Sequence, residues 1–318
     1  MTYDLVIVGA GPAGLAAAIN GSSEGLKVAL LDRSMELGGQ ARESACIENY
    51  PLPFSDYRGV TGSEMMAGFS AQAERFGATI VAPVSASRLV VQPSAPHEVV
   101  TDDLQTFRGR AVLLSMGLAY RRLTIPGLMR FMGRQVFYGC PPRVTGKRVA
   151  VIGGANSAGQ AVVRLAKECN HVYLLSRSPI EKGMSQYLAS RIRNFPNVTV
   201  VEGVTPAEAE GDRELAGIGW SIGDDVGYAD IDHLFIFIGA VPHTGWLHGA
   251  VLLCPKGFIP TGSDLPKDQR VSSSPCSTNV PGIFAAGDVR LGQGVKRITG
   301  AVFDGVCSVQ GVHQYLAT

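Results

Sequence analysis

The chain has 318 residues, of which 46% are hydrophobic and 17% charged, and its 28 basic residues are nearly balanced by 27 acidic ones. This length allows two domains of common size, and the lack of a basic excess argues against nucleic acid or a membrane surface as a partner. The sequence has no long apolar run and no signal-peptide pattern, so we expect a cytoplasmic protein without a transmembrane helix.

The amino-terminal residues predict a dinucleotide-binding βαβ unit. An apolar strand leads to the turn GAGPAG at positions 9–14, a small-residue helix follows, and a second strand ends at Asp32. In such units Gly9 makes the tight turn, Gly11 lets the backbone approach a pyrophosphate and Gly14 permits close helix packing. Asp32 lies 23 residues after Gly9, which suits a hydrogen bond to a ribose hydroxyl.

A second copy of the pattern begins near the middle of the chain with the turn GGANSA at positions 153–158. Its middle position is Ala155, whose methyl group stands where the backbone should approach a phosphate most closely. Its second strand leads to Arg177 instead of a carboxylate, and an arginine there suits a 2′-phosphate. The pattern predicts a second nucleotide site, or a Rossmann-like domain whose ligand has been lost or altered.

Three further strand-and-turn segments, at 106–117, 233–244 and 279–290, complete the organisation. The first and third of them fit the first nucleotide domain, which makes that domain discontinuous. The sequence therefore predicts a first domain formed by 1–117 and 241–318, with a second domain, 118–240, inserted into it.

Six motifs occur in an order that resembles the low-molecular-weight thioredoxin reductase family: GAGPAG (9–14), GGQ (38–40), IENYP (47–51), GGANSAG (153–159), FIFIGAVP (235–242) and GIFAAGDV (282–289). The resemblance covers essentially the whole chain. It implies an α/β fold with two Rossmann-like, three-layer ββα dinucleotide-binding domains, the second inserted into the first. It also implies a homodimer with one FAD per subunit, whose smaller NADPH domain rotates against the FAD domain.

The resemblance also implies two sets of cofactor-binding residues. Those for FAD are Gly9, Gly11, Pro12, Ala13, Gly14, Asp32, Arg33, Gly38, Gly39, Gln40, Asn49, Gly117, Gly287, Asp288, Lys296, Arg297 and Ile298. Those for NADPH, or for a nucleotide that replaces it, are Gly153, Gly154, Asn156, Ser157, Ala158, Arg177 and Gly239. Arg177 matches one of the family's paired arginines, but serines flank it.

The main departure from the family concerns its redox dithiol, a CxxC pair just ahead of the second glycine turn. Here that loop reads VFYGCPPR, with Cys140 as its single thiol, whereas a disulfide relay needs two. Cys140 is a candidate catalytic residue if Arg143 lowers its pKa, and otherwise an ordinary loop residue. The other cysteines have no CxxC or metal-ligand spacing, so we expect no metal site and burial of most thiols.

These patterns predict a FAD-dependent oxidoreductase that lacks the family's dithiol. It would pass electrons between a reduced donor, NADPH by preference, and an acceptor that is either a small redox protein or a small molecule. In one alternative, the altered second site takes another nucleotide, even a second flavin, instead of NADPH, or a protein electron donor takes the place of NADPH. In another, the chain is a flavin-binding sensor or interaction protein without turnover. We expect His243, in the segment AVPHT, to be an exposed turn residue.

Overall fold

The computed structural model describes residues 1–44, 47, 50–51, 59–93, 96–139, 144–292 and 297–318. The chain divides into two compact units: the first comprises Met1–Ala119 and Val241–Thr318, and the second comprises Tyr120–Ala240. The chain thus leaves the first unit and returns to it later. The assignment of one cofactor to each unit stays a prediction.

The helices in the described ranges are α1 (Pro12–Ser23), α2 (Gly62–Arg75), α3 (Asn156–Leu165), α4 (Gln186–Arg193) and α5 (Ile298–Leu316). The strands are β1 (Thr2–Val8), β2 (Val28–Leu31), β3 (Thr79–Val81), β4 (Ala86–Val90), β5 (His97–Thr101), β6 (Thr106–Leu114), β7 (Leu118–Tyr120), β8 (Val136–Tyr138), β9 (Arg148–Ile152), β10 (His171–Ser176), β11 (Val198–Glu202), β12 (Thr205–Gly211), β13 (Leu215–Ile222), β14 (Asp225–Asp230), β15 (His233–Ile236), β16 (Ala240–Pro242) and β17 (Ile283–Ala285).

The first unit has three layers built around one parallel sheet. Strands β3, β2, β1 and β6 are parallel neighbours, and β17 pairs with the end of β6. The start of β6 pairs with β5, which pairs with β4, and both of these contacts are antiparallel. Side chains alternate along β1, so Leu5 and Ile7 pack with α1 and α5, whereas Val6 and Val8 pack with β4 and β5 on the opposite face.

The second unit repeats this arrangement. Its parallel sheet has the order β11, β10, β9, β15 and β8, and β12, β13 and β14 form a separate antiparallel sheet. Val149 and Val151 of β9 pack against α3 and α4, whereas Ala150 and Ile152 pack on the side of the antiparallel strands. The predicted α/β class with two three-layer ββα domains is confirmed. No helix in the described ranges has the length and apolar character needed to cross a membrane.

A buried ion pair fixes the end of the first unit's parallel sheet. The Arg290 guanidinium donates to the Asp304 carboxylate on α5 over 2.7 Å, and their side chains are only 13% and 9% exposed. The same guanidinium donates to Thr261 Oγ1 and to the carbonyl oxygen of Pro275. The second carboxylate oxygen of Asp304 accepts the backbone N–H of Gly287 over 3.0 Å. The pair therefore connects α5 to the turn that follows β17.

We predict that Arg290→Met destabilises the protein far more than an equivalent loss at the surface. Removal of the guanidinium takes away the positive charge that donates to the buried Asp304 carboxylate, and the break of a buried pair costs about 3–5 kcal/mol in the free energy of unfolding. The matched control is Arg148→Met, which breaks an exposed pair with Asp230 and costs at most about 1 kcal/mol. Urea unfolding measures both effects, and a small loss in both variants contradicts this role for Arg290.

Candidate nucleotide-binding sites

The glycine turn that precedes α1 is shaped by contacts between backbone atoms. Gly9 has φ of 102°, in the left-handed region, and a Cβ built on it would lie 2.5 Å from the carbonyl oxygen of Ser115. A Cβ built on Gly14 would collide with the carbonyl oxygen of Gly9. Both positions therefore require glycine for the turn itself, whatever the site binds.

Gly11 differs from these two glycines because open space surrounds it. It is the N-cap of α1 and has φ of −74°, and a Cβ built on it would have no described atom within 4 Å apart from its chain neighbours. Pro12 follows at the first helical position, and no side chain in the described ranges caps this end of the helix. The free N–H groups and the helix dipole favour an anion here, and the open side of Gly11 lets it approach closely.

Two distant segments of the first unit come to this same turn. The backbone N–H of Gly38 donates to the carbonyl oxygen of Ala10 over 2.8 Å, and a Cβ on Gly39 would lie 3.4 Å from Gly11 Cα. A Cβ on Gly287 would lie 3.1 Å from the Cβ of Ala13. Residues that are far apart in sequence but belong to one predicted FAD set are thus gathered at the start of α1.

Asp32 follows β2 and supports the turn with its carboxylate. Its Oδ2 accepts the backbone N–H of Ala10 over 2.6 Å, and its Oδ1 accepts that of Ser34 over 2.8 Å. Each oxygen keeps acceptor capacity, so the carboxylate can hold the turn and still bind a hydroxyl group. The side chain of Gln40 is likewise fixed, since its Nε2 donates to the carbonyl oxygen of Leu118 over 2.7 Å.

The other predicted FAD residues have different degrees of support from the structure. Asp288 is half-buried beside Gly287, Arg297 is the exposed N-cap of α5 and Ile298 is its first residue. Gly117 has open space on its Cβ side, and Arg33 is exposed. Asn49 and Lys296 lie outside the described residues, as does the candidate catalytic residue Cys140.

The turn before α3 resembles the first turn but has a side chain at its helix N-cap. Gly153 has φ of 153°, and a Cβ on it would lie 2.6 Å from the carbonyl oxygen of Phe237, while one on Gly154 would lie 2.5 Å from Ser176 Oγ. Ala155 is the exposed N-cap of α3, where Gly11 stands in α1.

The segment between β10 and α4 also touches this second turn. The backbone N–H of Ser185 donates to Asn156 Oδ1 over 2.8 Å, and a Cβ on Gly183 would collide with the carbonyl oxygen of Gly154. Part of the polar surface at this helix end is therefore already engaged by the chain.

The remaining predicted NADPH residues surround this helix end and the end of the sheet. Ser157 is exposed in the first turn of α3, whereas Ala158 is buried. Arg177 is exposed immediately after β10, and Gly239, which follows β15, has open space on its Cβ side.

Several residues that position these sites carry no local sequence signal. Buried Ser115 donates from Oγ to the carbonyl oxygen of Gly9 over 2.8 Å. Asp304 and Arg290, described above, and Gly183 act through contacts that form only when distant segments meet. Asp304 carries one weak signal, because it is the only acidic residue of α5.

The expectation for His243 is wrong. Its side chain is half-buried, and its Nε2 is enclosed without a hydrogen-bond partner among the described residues. The turn is held inward because Trp246 Nε1 donates to the carbonyl oxygen of His243 over 2.9 Å. Burial, and then the charge of Arg33, lower the pKa of this imidazole.

The described cysteines are poor candidates for redox chemistry. Cys169 and Cys276 are buried, whereas Cys254 and Cys307 are half-buried, so burial holds for only part of the predicted set. Burial raises the pKa of Cys169 and of Cys276 to about 11, and it also raises the pKa of Cys307. A reactive thiol needs the opposite shift. No group of residues in the described ranges has the composition and proximity of a metal site.

Comparison with known families supports what the two glycine turns indicate. The family model for pyridine nucleotide-disulphide oxidoreductases matches residues 3–305. The chain belongs to this family. A component of the alkyl hydroperoxide reductase of Escherichia coli is 32% identical over 298 residues, covering 90% of this chain and 53% of the relative. An NADH dehydrogenase of Bacillus subtilis is 30% identical over 321 residues, covering 99% of this chain and 58% of the relative. The chain thus spans little more than half the length of these curated relatives.

Solved structures of thioredoxin reductases match the structure of this chain over essentially its full length. Thioredoxin reductase from Streptococcus pyogenes matches with a TM-score of 0.78 and 26% identity, covering 99% of this chain and 98% of that one. Thioredoxin reductase from Giardia duodenalis has a TM-score of 0.79 at 24% identity, covering 100% of this chain and 99% of that one, which shows a shared fold. The family and these neighbours make the protein an oxidoreductase of thioredoxin reductase-like type, with two dinucleotide-binding domains.

We predict that Cys169 and Cys276 resist alkylation in the native protein at pH 8. With a pKa of about 11, each is roughly one-thousandth thiolate at that pH, and the thiolate fraction rises about tenfold per pH unit below the pKa. Peptide mass spectrometry after iodoacetamide treatment measures the modification, with the urea-unfolded protein as the control. Modification of native Cys276 at the rate of the unfolded protein contradicts the prediction.

Proposed function

We propose that this protein is a FAD-dependent oxidoreductase that passes electrons from NADPH to an acceptor without a CxxC dithiol. One observation carries the proposal: each unit has a glycine turn between the first strand of a parallel βαβ element and the amino end of a helix. Two such turns in one chain suit an enzyme that binds two nucleotides. Membership of the pyridine nucleotide-disulphide oxidoreductase family supports a flavin together with a pyridine nucleotide.

The first unit fits FAD because the start of α1 offers what a pyrophosphate needs. Gly11 leaves space for close approach, the first turn of α1 offers free N–H groups, and Asp32 can accept a ribose hydroxyl. Gln40, Gly117, Asp288 and the start of α5 would hold the rest of the cofactor. When bound, FAD supplies a ring that accepts a hydride and releases electrons to an acceptor.

The second unit would bind NADPH at the start of α3. Gly153, Gly154, Asn156, Ser157 and Ala158 would form the phosphate-binding turn, and Gly239 would lie near the coenzyme. Arg177 is exposed, and no ion pair engages it in the described part of the chain. Its free positive charge supports NADPH over NADH, because only NADPH carries a 2′-phosphate.

The acceptor is proposed to receive electrons without a protein disulfide relay. Such a relay needs two neighbouring thiols, and the motif around Cys140 supplies one. The raised pKa values of Cys169 and Cys276 argue against their replacing the dithiol. We infer that a small redox protein or a small molecule is reduced directly. From the resemblance to thioredoxin reductases we also propose a homodimer that works in the cytoplasm.

A second candidate function keeps FAD and replaces NADPH. In this version the second unit takes another nucleotide, such as a second flavin, or a protein donor supplies the electrons. Ala155 favours it, because a methyl group occupies the position that Gly11 leaves open in the first unit. The hydrogen bond from Ser185 to Asn156 favours it as well, since it uses one of the polar groups beside the turn.

We predict that NADPH reduces the bound flavin faster than NADH does, and that Cys140→Ser leaves this rate unchanged. The reason is that positioning of the two cofactors, not a side-chain thiol, limits hydride transfer. Stopped-flow absorbance in the visible flavin band, under anaerobic conditions, measures both rates.

Three other results would contradict this assignment. Bleaching by dithionite or a protein donor, but by neither pyridine nucleotide, would support the second candidate function. A flavin that turns over with no pair of donor and acceptor would instead indicate a binding or sensor role. A large loss of rate in Cys140→Ser would return the thiol to the reaction.

A further inference from the structure

One guanidinium bridges two carboxylates at the edge of the second unit's parallel sheet. Arg193, in the last turn of α4, lies 2.7 Å from Glu202 Oε1 and 2.8 Å from Glu181 Oε1. The same Oε1 of Glu202 accepts the backbone N–H of Ile180 over 2.9 Å. Hydrogen bonds with its own backbone and with Arg193 lower the pKa of Glu181, and contact with Glu181 raises the pKa of Arg193. Both shifts favour the charged forms of Glu181 and Arg193.

This bridge lies beside the position that reads the ribose in a Rossmann unit. Ser176 is the last residue of β10, where such units place the carboxylate that selects NAD. Ser176 is buried, its hydroxyl donates to the carbonyl oxygen of Ser178 over 2.6 Å, and it is paired in register with Glu202 on β11. Glu202 thus places a carboxylate one strand away from the ribose-reading position.

The electrostatic environment of the ribose position depends on where the Glu202 carboxylate is held. Arg177 and Lys182 are exposed on the same segment, and neither has an ion-pair partner among the described residues. Arg193 holds Glu181 and Glu202 together and offsets one of their two negative charges. A carboxylate released toward the ribose position would instead repel a 2′-phosphate and offer an acceptor to the 2′-hydroxyl of NADH.

We propose that Arg193 is a positioning residue that sets coenzyme selectivity by restraining Glu202. This inference rests on the proposed function, in which the second unit binds a pyridine nucleotide. With Arg193 in place, Arg177 presents its charge to the 2′-phosphate without competition from Glu202. Without Arg193, the backbone N–H of Ile180 is the one remaining hydrogen-bond donor to Glu202 among the described residues, and the preference moves toward NADH.

The test measures dissociation constants for NADPH and NADH on the FAD-loaded protein, together with those for adenosine 2′,5′-bisphosphate and 5′-AMP. We expect Arg193→Met to lower the ratio of the NADH constant to the NADPH constant by roughly fivefold to tenfold, because the bridge is partly exposed and partly screened. Binding of adenosine 2′,5′-bisphosphate should weaken in parallel with binding of NADPH, whereas binding of 5′-AMP should not weaken. Arg193→Lys should restore most of the ratio.

Two variants separate this role from a structural one. Arg191→Met removes an exposed charge two residues earlier on α4 and should leave the ratio unchanged. In the double variant Arg193→Met/Glu202→Gln the ratio should return to the wild-type value, because the Glu202 carboxylate that Arg193→Met releases is no longer there. A structural defect would weaken the binding of all four ligands together, and the double variant would not restore it.

The outcomes distinguish the failure of this inference from the failure of the proposed function. If the wild-type protein binds neither coenzyme, the proposed function fails and this inference fails with it. If the wild type binds NADPH but the ratio in Arg193→Met stays within twofold, only the role of Arg193 is overturned. Parallel weakening of all ligands, or no recovery in the double variant, overturns it as well.

Discussion

The carboxylate of Asp304 is the constraint on which the first unit's site depends. It is shared between the Arg290 guanidinium and the backbone N–H of Gly287, and it lies on α5 next to Gly305. A Cβ on Gly305 would collide with the carbonyl oxygen of Ala13, so α5 packs directly on the backbone of α1. One buried group therefore fixes α5 and the turn after β17, and the Gly287 contact aligns that turn with the amino end of α1. The site depends on this arrangement because its glycine turn is made of backbone atoms, whose positions are set by the packing of these elements.

The two glycine turns show how similar geometry can support different binding. Both turns follow the first strand of a parallel βαβ element and start with a glycine at positive φ. The first has open space at Gly11, whereas the second has the methyl group of Ala155 and the contact between Ser185 and Asn156. The first turn thus leaves backbone open at its helix N-cap, whereas the second turn places a side chain there.

Sequence patterns predicted those features that depend on neighbouring residues. The turn at 9–14, the strand that ends at Asp32 and the repeat at 153–158 follow from local geometry, because a βαβ unit has few ways to make its tight turn. The approach of Gly38 and Gly287 to this turn followed only from the family resemblance. The Arg290 to Asp304 pair and the Gly183 contact with Gly154 could not be predicted, since they depend on how separate segments fold back. His243 shows the same limit: it was expected to be an exposed turn residue, but its carbonyl oxygen accepts a hydrogen bond from Trp246 and its side chain is half-buried.

The central claim is that the first turn holds a flavin and the second does not. The most direct test is the ratio of FAD to protein chain in the purified protein, compared with Gly11→Leu and Ala155→Leu. Both substitutions fall at helix N-caps, so they serve as matched controls. We expect a ratio near one for the wild type and for Ala155→Leu, and a large loss of flavin in Gly11→Leu while the fold is retained. A ratio near two, or loss of flavin in Ala155→Leu but not in Gly11→Leu, would contradict it.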